Sequence, residues 1–425
     1  MDSHVLLHYL ATHQAQWRQQ TLEAIYVDHG LHVESAAWAK HCADICQALH
    51  VPFRVLKVDA RPTAGESPEA TARQVRYAAL TATLKPDTAL LTAHHRDDQA
   101  ETLLLQLLRG AGVHGLAAMP AATQLGQGWL LRPMLSTDHT ELHAYAHHYR
   151  LHWIEDASNT NTLIDRNYLR HRVLPLLRER WPAANCTLAR SALWCAEAAA
   201  WLDADAITDL NTAISHRPDG LLISSLRTLN APRQRNLIRY WLRRLGIPIP
   251  DTRQLTQLIR DMLGAAPDRQ PCVRWLGGET RRYRDILYAM PPIQPHDRQG
   301  TFTWYNVTGH TVLNLPNLGQ LHWQKTTGTG LPAKALRDTP LTVCFRQGGE
   351  RFRPAGRHHT QTLKKLFQEA AIPPWERNRL PLLYRDNVLL AVVGLGTAAD
   401  YSVAPHETGW QAVLESPSAM VSGIV

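Results

Sequence analysis

The stretch Ala89 to Gly110, ALLTAHHRDDQAETLLLQLLRG, decides the fold. Ala89 to Ala93 reads as a short buried strand, and Asp98 to Arg109 as a helix with Leu104, Leu107 and Leu108 on one face. Between them stand two histidines, an arginine and two aspartates, so the polar groups collect where strand turns into helix. Strand-then-helix units repeat on the N-terminal side. Leu22 to Asp28 (LEAIYVD) predicts a strand, Ser35 to His50 a helix and Phe53 to Val58 a second strand. Ser67, Pro68 and Glu69 open another helix, with Ser67 as its cap. On the C-terminal side, Glu141 to Tyr149 predicts a helix and His152 to Glu155 a short strand. This alternation predicts an α/β fold, a doubly wound parallel sheet with ligands at the carboxyl ends of its strands.

Beyond about Leu188 the pattern turns helical, in an Ala-rich run to Asp205, then Arg233 to Leu245 and Thr252 to Leu263. After Pro291 it becomes short strands and turns (TFTWYNV, TVLNLP, QLHWQK), with a flexible joint at Thr327 to Gly330. Thr342 to about Val413 forms a compact final domain with a basic helix near Thr362 to Ala370. The expected division is 1–187 catalytic, 188–290 α-rich, 291–335 connecting and 336–415 a small α+β domain.

Composition narrows the function classes. The 425 residues, 44% of them hydrophobic, suit about two or three globular domains rather than a disordered chain. No apolar run approaches a membrane span, and the N-terminus lacks a signal-peptide pattern. Six scattered cysteines are not a disulfide scaffold, and a cytoplasmic location is expected. A formal net charge of +8 favours a polyanionic partner, nucleic acid ahead of membrane.

Chemistry-bearing residues gather at three predicted strand ends. One strand ends in Asp28-His29-Gly30-Leu31 and another in His94-His95-Arg96-Asp97-Asp98, with Glu101 one turn on. The helix between carries Arg73, Arg76 and Tyr77 on one face. Such a mixture suits nucleotide or phosphate chemistry with magnesium. Simpler readings stand beside it: Asp98 and Glu101 also read as a capping box, one of His94 and His95 as packing, and Arg73 and Arg76 as a solvated face. Arg109 with Gly110 and Gly112 is a phosphate clamp or an ordinary helix stop. Cys42 and Cys46, one turn apart, read as plain buried thiols, because zinc would need four ligands. Met1-Asp2-Ser3 runs straight into a helical pattern, and an Asp-Ser pair at a helix start is the tail of a phosphate loop.

HHRDDQAETLLLQLLRGAGVHGLAAM, then RPML, WIEDASN and DRNYLRHRVLP, resemble the tRNA(Ile)-lysidine synthase family, a branch of the N-type ATP pyrophosphatases with the PP-loop. The likeness continues through RQRNLIRYWLRRLG, RRYRDILYAM, FRQGGERFRP and LKKLFQEAAIPPWERNRLPLLY, so it spans nearly the whole chain in order. It implies an adenine nucleotide α-hydrolase-like catalytic domain. It also implies that Met1 stands at the variable position of a Ser-Gly-Gly-x-Asp-Ser loop. A strand and the Ser-Gly-Gly are then expected upstream, in a stretch on the order of 20 residues.

The implied reaction joins L-lysine to the wobble cytidine of the CAU anticodon of tRNA(Ile), using ATP and Mg2+ through an adenylated cytidine. The implied catalytic residues are Asp2, Asp98, Glu101, Arg76 and Arg109, with Asp97 as an alternative carboxylate. Asp98 and Glu101 would bind the lysine ammonium and assist its deprotonation. Asp2 and Ser3 would hold phosphate, with Asp2 near the metal, and Asp28, His29 and Gly30 would line adenosine. Arg166, Asn167 and Arg170 would hold the anticodon region, and Arg346, Arg351, Arg353, Lys364, Lys365 and Arg377 the tRNA backbone. Two other classes compete, a two-metal phosphoesterase and a non-catalytic tRNA-binding remnant. Whether the protein is a homodimer is left open by the sequence.

Overall fold

The computed structural model describes residues 1–16, 20–30, 34–61, 68–215, 220–266, 269–305, 311–336 and 340–415. Leu31, the Ser67 cap, Asn306 and Val307 lie outside them. The chain forms two compact units, Met1–Ala204 and Asp205–Val425.

The first unit opens with α1 (Asp2–Thr12), β1 (Ala24–Asp28), α2 (Ser35–Ala48), β2 (Phe53–Lys57), α3 (Pro68–Thr83), β3 (Ala89–Leu91) and α4 (Arg96–Leu108). It continues with α5 (Val113–Leu116), β4 (Ala122–Leu125), β5 (Gly128–Leu131), α6 (His139–His148) and α7 (Asp165–Tyr168). A π-helical turn, Leu169–Val173, joins α7 to α8 (Leu174–Arg180), and α9 (Ala184–Ala213) contains the boundary between units. The predicted parallel pairing is present in two ladders. Asp28 is registered against Lys57 in β1–β2, and Leu91 against Leu131 in β3–β5. The antiparallel β4–β5 hairpin was not foreseen, and 152–155 forms no strand.

The core shows why α1 is held. Val5 and Leu6 of α1 pack with Met134 and with Leu142 and Ala146 of α6, flanked by Leu91 and Trp153. His8 Nδ1 lies 2.9 Å from the Tyr145 hydroxyl of α6, and His4 Nδ1 3.0 Å from the His152 carbonyl in the segment after it. Helix α4 corrects the expected apolar face. Leu107 and Leu108 are exposed, and Asp98, Ala100, Glu101 and Leu103 are the buried positions. Cys46 is buried, and burial pushes both the Cys42 and Cys46 thiols up, as inert core cysteines require.

The second unit begins with β6 (Gly220–Leu222), α10 (Ile223–Thr228), α11 (Ala231–Arg244) and α12 (Thr252–Gly264). There follow β7 (Cys272–Trp275), β8 (Gly278–Tyr283) and β9 (Ile286–Met290), giving an antiparallel sheet of order β6-β9-β8-β7. The sequence reading found its helices and missed this sheet. Asn230 caps α11 by accepting from Arg233 N–H, and Asp251 with Gln254 forms a capping box on α12. Leu237, Ile238 and Trp241 of α11 then meet Leu255, Leu258 and Met262 of α12 over the sheet. Buried Arg282 donates to the carbonyls of Met262 and Ala265, closing the C-terminal end of α12 with positive charge.

The last part comprises β10 (Phe302–Trp304), β11 (Leu313–Leu315), β12 (Gly319–Thr327), β13 (Leu341–Phe345), β14 (Arg351–Phe352), β15 (Gln361–Thr362), α13 (Leu363–Glu369) and α14 (Pro374–Arg377). It ends with β16 (Pro381–Arg385), β17 (Val388–Val392), β18 (Gly396–Thr397) and β19 (Thr408–Glu415). A five-stranded sheet β10-β13-β16-β17-β18 and a three-stranded sheet β11-β12-β19 share one core, and α13 buries Leu363, Leu366 and Phe367 in another.

Trp241 is 2% exposed. Trp241→Ala is expected to lower the stability of the second unit by about 3–5 kcal/mol, read from its urea midpoint; a change below about 1 kcal/mol would contradict this packing.

Candidate active site

Helix α4 begins at His95, whose extended backbone makes it the N-cap. The Asp97 N–H donates to His95 Nδ1 (3.3 Å), and the His95 N–H donates to Asp98 Oδ2 (3.0 Å). The capping box is therefore His95 with Asp98, not Asp98 with Glu101. Nδ1 is thus turned to the Asp97 N–H in the first turn of α4, and Nε2 points away from it. That nitrogen faces Asp98 Oδ2 at 3.5 Å and Asp2 Oδ2 at 4.0 Å. The starts of α1 and α4 thus meet, bringing two positive helix-dipole ends together.

One turn into α4, Glu101 has no exposed surface and both its oxygens are held. Arg166 Nε donates to Oε2 (2.7 Å), Arg170 Nε to Oε1 (2.6 Å) and Arg170 NH2 to Oε2 (2.9 Å). Both arginines also donate to Asp98 Oδ1, at 2.9 and 3.0 Å. Two carboxylates and two guanidinium groups form a compact neutral cluster. Arg166 and Arg170 share a face because they stand four residues apart across α7 and the π-helical turn. Asn167 between them donates to the Asn161 carbonyl (3.0 Å). Farther along, Arg178 lies 3.6 Å from Asp97.

The charges set the proton affinities. Burial alone would push Asp98 up, but His95, Arg166, the His95 N–H and Arg170 outweigh it and hold the carboxyl below its usual range. Burial pushes His94 down. Asp98 opposes that shift, while Arg132, Arg166 and Arg73 add to it, leaving the imidazole at about 4 and neutral. Burial likewise lowers Arg76, with Arg73 and Arg166 nearby. Arg170 is raised, because its bond to Glu101 and the charges of Glu101, Asp98 and Asp2 exceed the burial effect.

The structure therefore gathers Asp2, Asp98, Glu101, Arg166 and Arg170, and sets Arg76 within electrostatic reach. Two expectations change. Asp2 and Ser3 do not cap α1 with their side chains; Met1 is the N-cap, and the pair forms the first turn with Ser3 exposed. Arg109 is exposed at the far end of α4, about 16 Å along the axis from Asp98. Glu101 has both oxygens bonded to Arg166 and Arg170 and no exposed surface, while the two arginines keep 22% and 38% of their side chains exposed. Asp28, His29 and Gly30 form a separate turn after β1. Gly30 N–H donates to Asp28 Oδ1 (3.0 Å), and its φ of 68° favours glycine. The loop carrying Asp156 is close by, since Asp28 and Asp156 both act on Tyr26.

In the C-terminal part, Arg377 donates to the Ile372 carbonyl and the Tyr283 hydroxyl, Arg353 pairs with Asp400, and Arg346 lies near Glu350 and Asn378. All three have partners within the protein, and the Arg353–Asp400 pair is exposed. Arg351, Lys364 and Lys365 are exposed, and Arg351 is registered against Thr362 just before the two lysines. His95 reads from sequence as one of a histidine pair of which one packs, and Arg132 as part of RPML; the capping role of His95 and the backbone contacts of Arg132 and Gln99 were not foreseen. Gln99 exchanges two 2.8 Å bonds with the Met119 backbone, fixing the loop after α5 to α4. A histidine directly before three polar helix-start residues is the only signal that could have exposed His95 as a cap.

Glu101→Gln removes one charge from a balanced buried cluster. It is expected to cost the first unit about 3–5 kcal/mol in denaturant unfolding. The pH dependence has one sign. His94 is depressed to about 4, so the unfolded chain binds the extra proton and stability falls as pH drops from about 6.5 to 4, by up to about 3 kcal/mol. Asp98, also depressed, adds a loss below its ordinary carboxylate range. A flat unfolding midpoint between pH 7 and 4.5 would contradict the assigned surroundings of His94.

Three family models match the chain in order. A PP-loop domain model matches residues 1–177, a TilS substrate binding domain 221–288 and a TilS substrate C-terminal domain 341–414. A tRNA(Ile)-lysidine synthase of Coxiella burnetii is 42% identical over 98% of this chain and 92% of its own length. The Methylococcus capsulatus enzyme of that name is 42% identical over 91% of this chain and 88% of its own, and that of Pseudomonas fluorescens 41% over 97% and 91%. The chain belongs to the tRNA(Ile)-lysidine synthase family.

Proposed function

We propose that this protein is an ATP-dependent ligase that joins L-lysine to the wobble cytidine of the CAU anticodon of tRNA(Ile), releasing AMP and pyrophosphate. The observation that carries the reading is the cluster at the meeting helix starts of α1 and α4. Carboxylates suited to an ammonium group stand there beside arginines suited to phosphate. ATP adenylates the pyrimidine carbonyl oxygen with loss of pyrophosphate; the lysine ammonium gives a proton to Asp97 or solvent, and the resulting amine attacks the ring carbon that bears this oxygen and displaces AMP. Both steps gain from positioning and from fixed charge at the phosphate.

Asp98, kept ionised, is a weak proton acceptor and a good electrostatic anchor, so it holds the lysine ammonium with Asp97 beside it. Glu101 fixes the two arginines that border this anchor. The unpaired N–H groups of the first turn of α1, at Asp2 and Ser3, suit phosphate oxygens, and Asp28 to Gly30 suit the nucleoside. Mg2+ fits at Asp2, whose Oδ1 is buried without a hydrogen-bond partner. Magnesium is commonly held by one or two carboxylates together with substrate phosphates, and there it offsets pyrophosphate charge. No group of three His, Cys, Asp or Glu residues able to hold a metal exists among the described residues, which disfavours the two-metal phosphoesterase. The exposed Arg351, Lys364 and Lys365 would contact the tRNA backbone. No helix among the described residues is long and apolar enough to cross a membrane, in keeping with action in the cytoplasm. The cluster is built within one chain, so this reading does not require a dimer.

Labelled lysine should enter tRNA(Ile) with a CAU anticodon only when ATP and magnesium are present. Asp98→Asn is expected to lose at least about 100-fold in lysine transfer while still releasing pyrophosphate. Wild-type rates in that variant would remove Asp98 from the mechanism. Lys364→Glu with Lys365→Glu should weaken tRNA binding and flatten its salt dependence; unchanged affinity would exclude α13 from the RNA surface.

A further inference from the structure

Histidines crowd α6. His139, His143 and His147 stand four residues apart, so their side chains share one face of the helix, and all three are exposed. The helix meets α1 through other positions, Leu142 and Ala146, which are buried. Among the described residues none of the three imidazoles makes a hydrogen bond or an ion pair, and their contacts are with other rings. The spacings differ along the row. The ring centres of His139 and His143 are 6.3 Å apart, and those of His143 and His147 only 4.4 Å, at a tilt of 55°. Trp153 meets both members of the closer pair in T-shaped contact, 5.9 Å from His143 and 6.0 Å from His147.

Two imidazoles in adjacent positions on one metal ion, with metal–nitrogen bonds of about 2.0–2.1 Å, have ring centres roughly 4.5–5 Å apart. His143 and His147 already stand close to that spacing, whereas His139 is too far from His143. Burial does not force the close pair together, because both residues are exposed, and a 55° tilt is not a parallel stack. Trp153 restricts their rotamers, so little conformational freedom remains to be lost when an ion bridges them. Imidazole nitrogen suits nickel, copper and zinc, while magnesium prefers oxygen. Among the described residues no third His, Cys, Asp or Glu completes a set with the pair, so water would fill the other positions and leave the ion exchangeable. His139 starts α6 beside His95, with ring centres 5.3 Å apart. The pair lies one and two turns further on, about 6 and 12 Å along the axis, and so outside the carboxylate–arginine cluster.

We propose that His143 and His147 chelate a divalent transition-metal ion of the nickel, copper or zinc class, with water in the remaining positions. The site does not depend on the proposed lysine transfer.

The test is calorimetric titration of the full chain with Ni2+ and, separately, Zn2+, with Mg2+ in large excess throughout. Wild type should show a site that His143→Ala and His147→Ala each weaken by at least about tenfold. The double variant should lose no more than either single one, because one substitution already breaks the chelate. His148→Ala, which removes an exposed imidazole from the same helix, should stay within about twofold of wild type. Alanine suits exposed helical positions, so the variants keep the fold, which circular dichroism checks. Additive losses in the two single variants would mean two independent imidazoles and overturn the chelate. Unchanged affinity in either single variant, displacement by Mg2+, or no binding by wild type would overturn it equally.

Discussion

The catalytic unit is organised around a charge balance that cannot be broken one side at a time. Asp98 and Glu101 come from α4, and Arg166 and Arg170 from a segment more than sixty residues later. Their mutual bonds tie the chain after residue 160 to the helix that follows β3. A buried ion pair contributes modest net stability when intact, because desolvation offsets most of its attraction. Loss of one member leaves an uncompensated charge, so the cluster acts chiefly by excluding other arrangements. It also supplies a preorganised field: the arginines need no reorientation to remain beside the carboxylates, and His95 seals the other side of Asp98.

The apolar scaffolding follows the same logic of fixed ends. Helix α1 is held by Val5 and Leu6 against α6, and its first turn is thereby aimed at α4. In the second unit, Arg282 closes the end of α12 as the caps of α11 and α12 close their starts, so α12 is held at both ends over the β6-β9-β8-β7 sheet.

The strand–helix alternation of the first unit was legible because buried parallel strands are short apolar runs, and α11 and α12 because their caps and periodicity agree. The gathering of Asp2, Asp98 and Glu101 was legible through family likeness. Burial of α4 was not, because leucines 107 and 108 mimic an apolar stripe while the true inward face carries Glu101, buried only because two distant arginines meet it. The β7–β8 pair was hidden for a similar reason. Its strands CVRW and GETRRY look polar, yet Glu279 is fully buried between Arg274 and Arg281. Residue types alone give no sign of such remote compensation. Arg109, read beside its glycine loop as a phosphate clamp, lies three helical turns from Asp98, a separation that residue types do not reveal.

The π-helical turn at Leu169–Val173 has a consequence for how the gene can vary. Arg166 precedes it, Arg170 lies inside it and Arg178 follows it, and all three meet acidic groups of α4. In a continuous α-helix Arg166 and Arg178, twelve residues apart, would diverge by about 120°; the residue absorbed by the π-helical turn brings them back to one face. A codon deleted on either flank with the turn retained would rotate Arg178 away from Asp97 by about 100°. A codon deleted within the turn would convert it to ordinary α-helix and leave the flanks in register, so a change of chain length is least disruptive there.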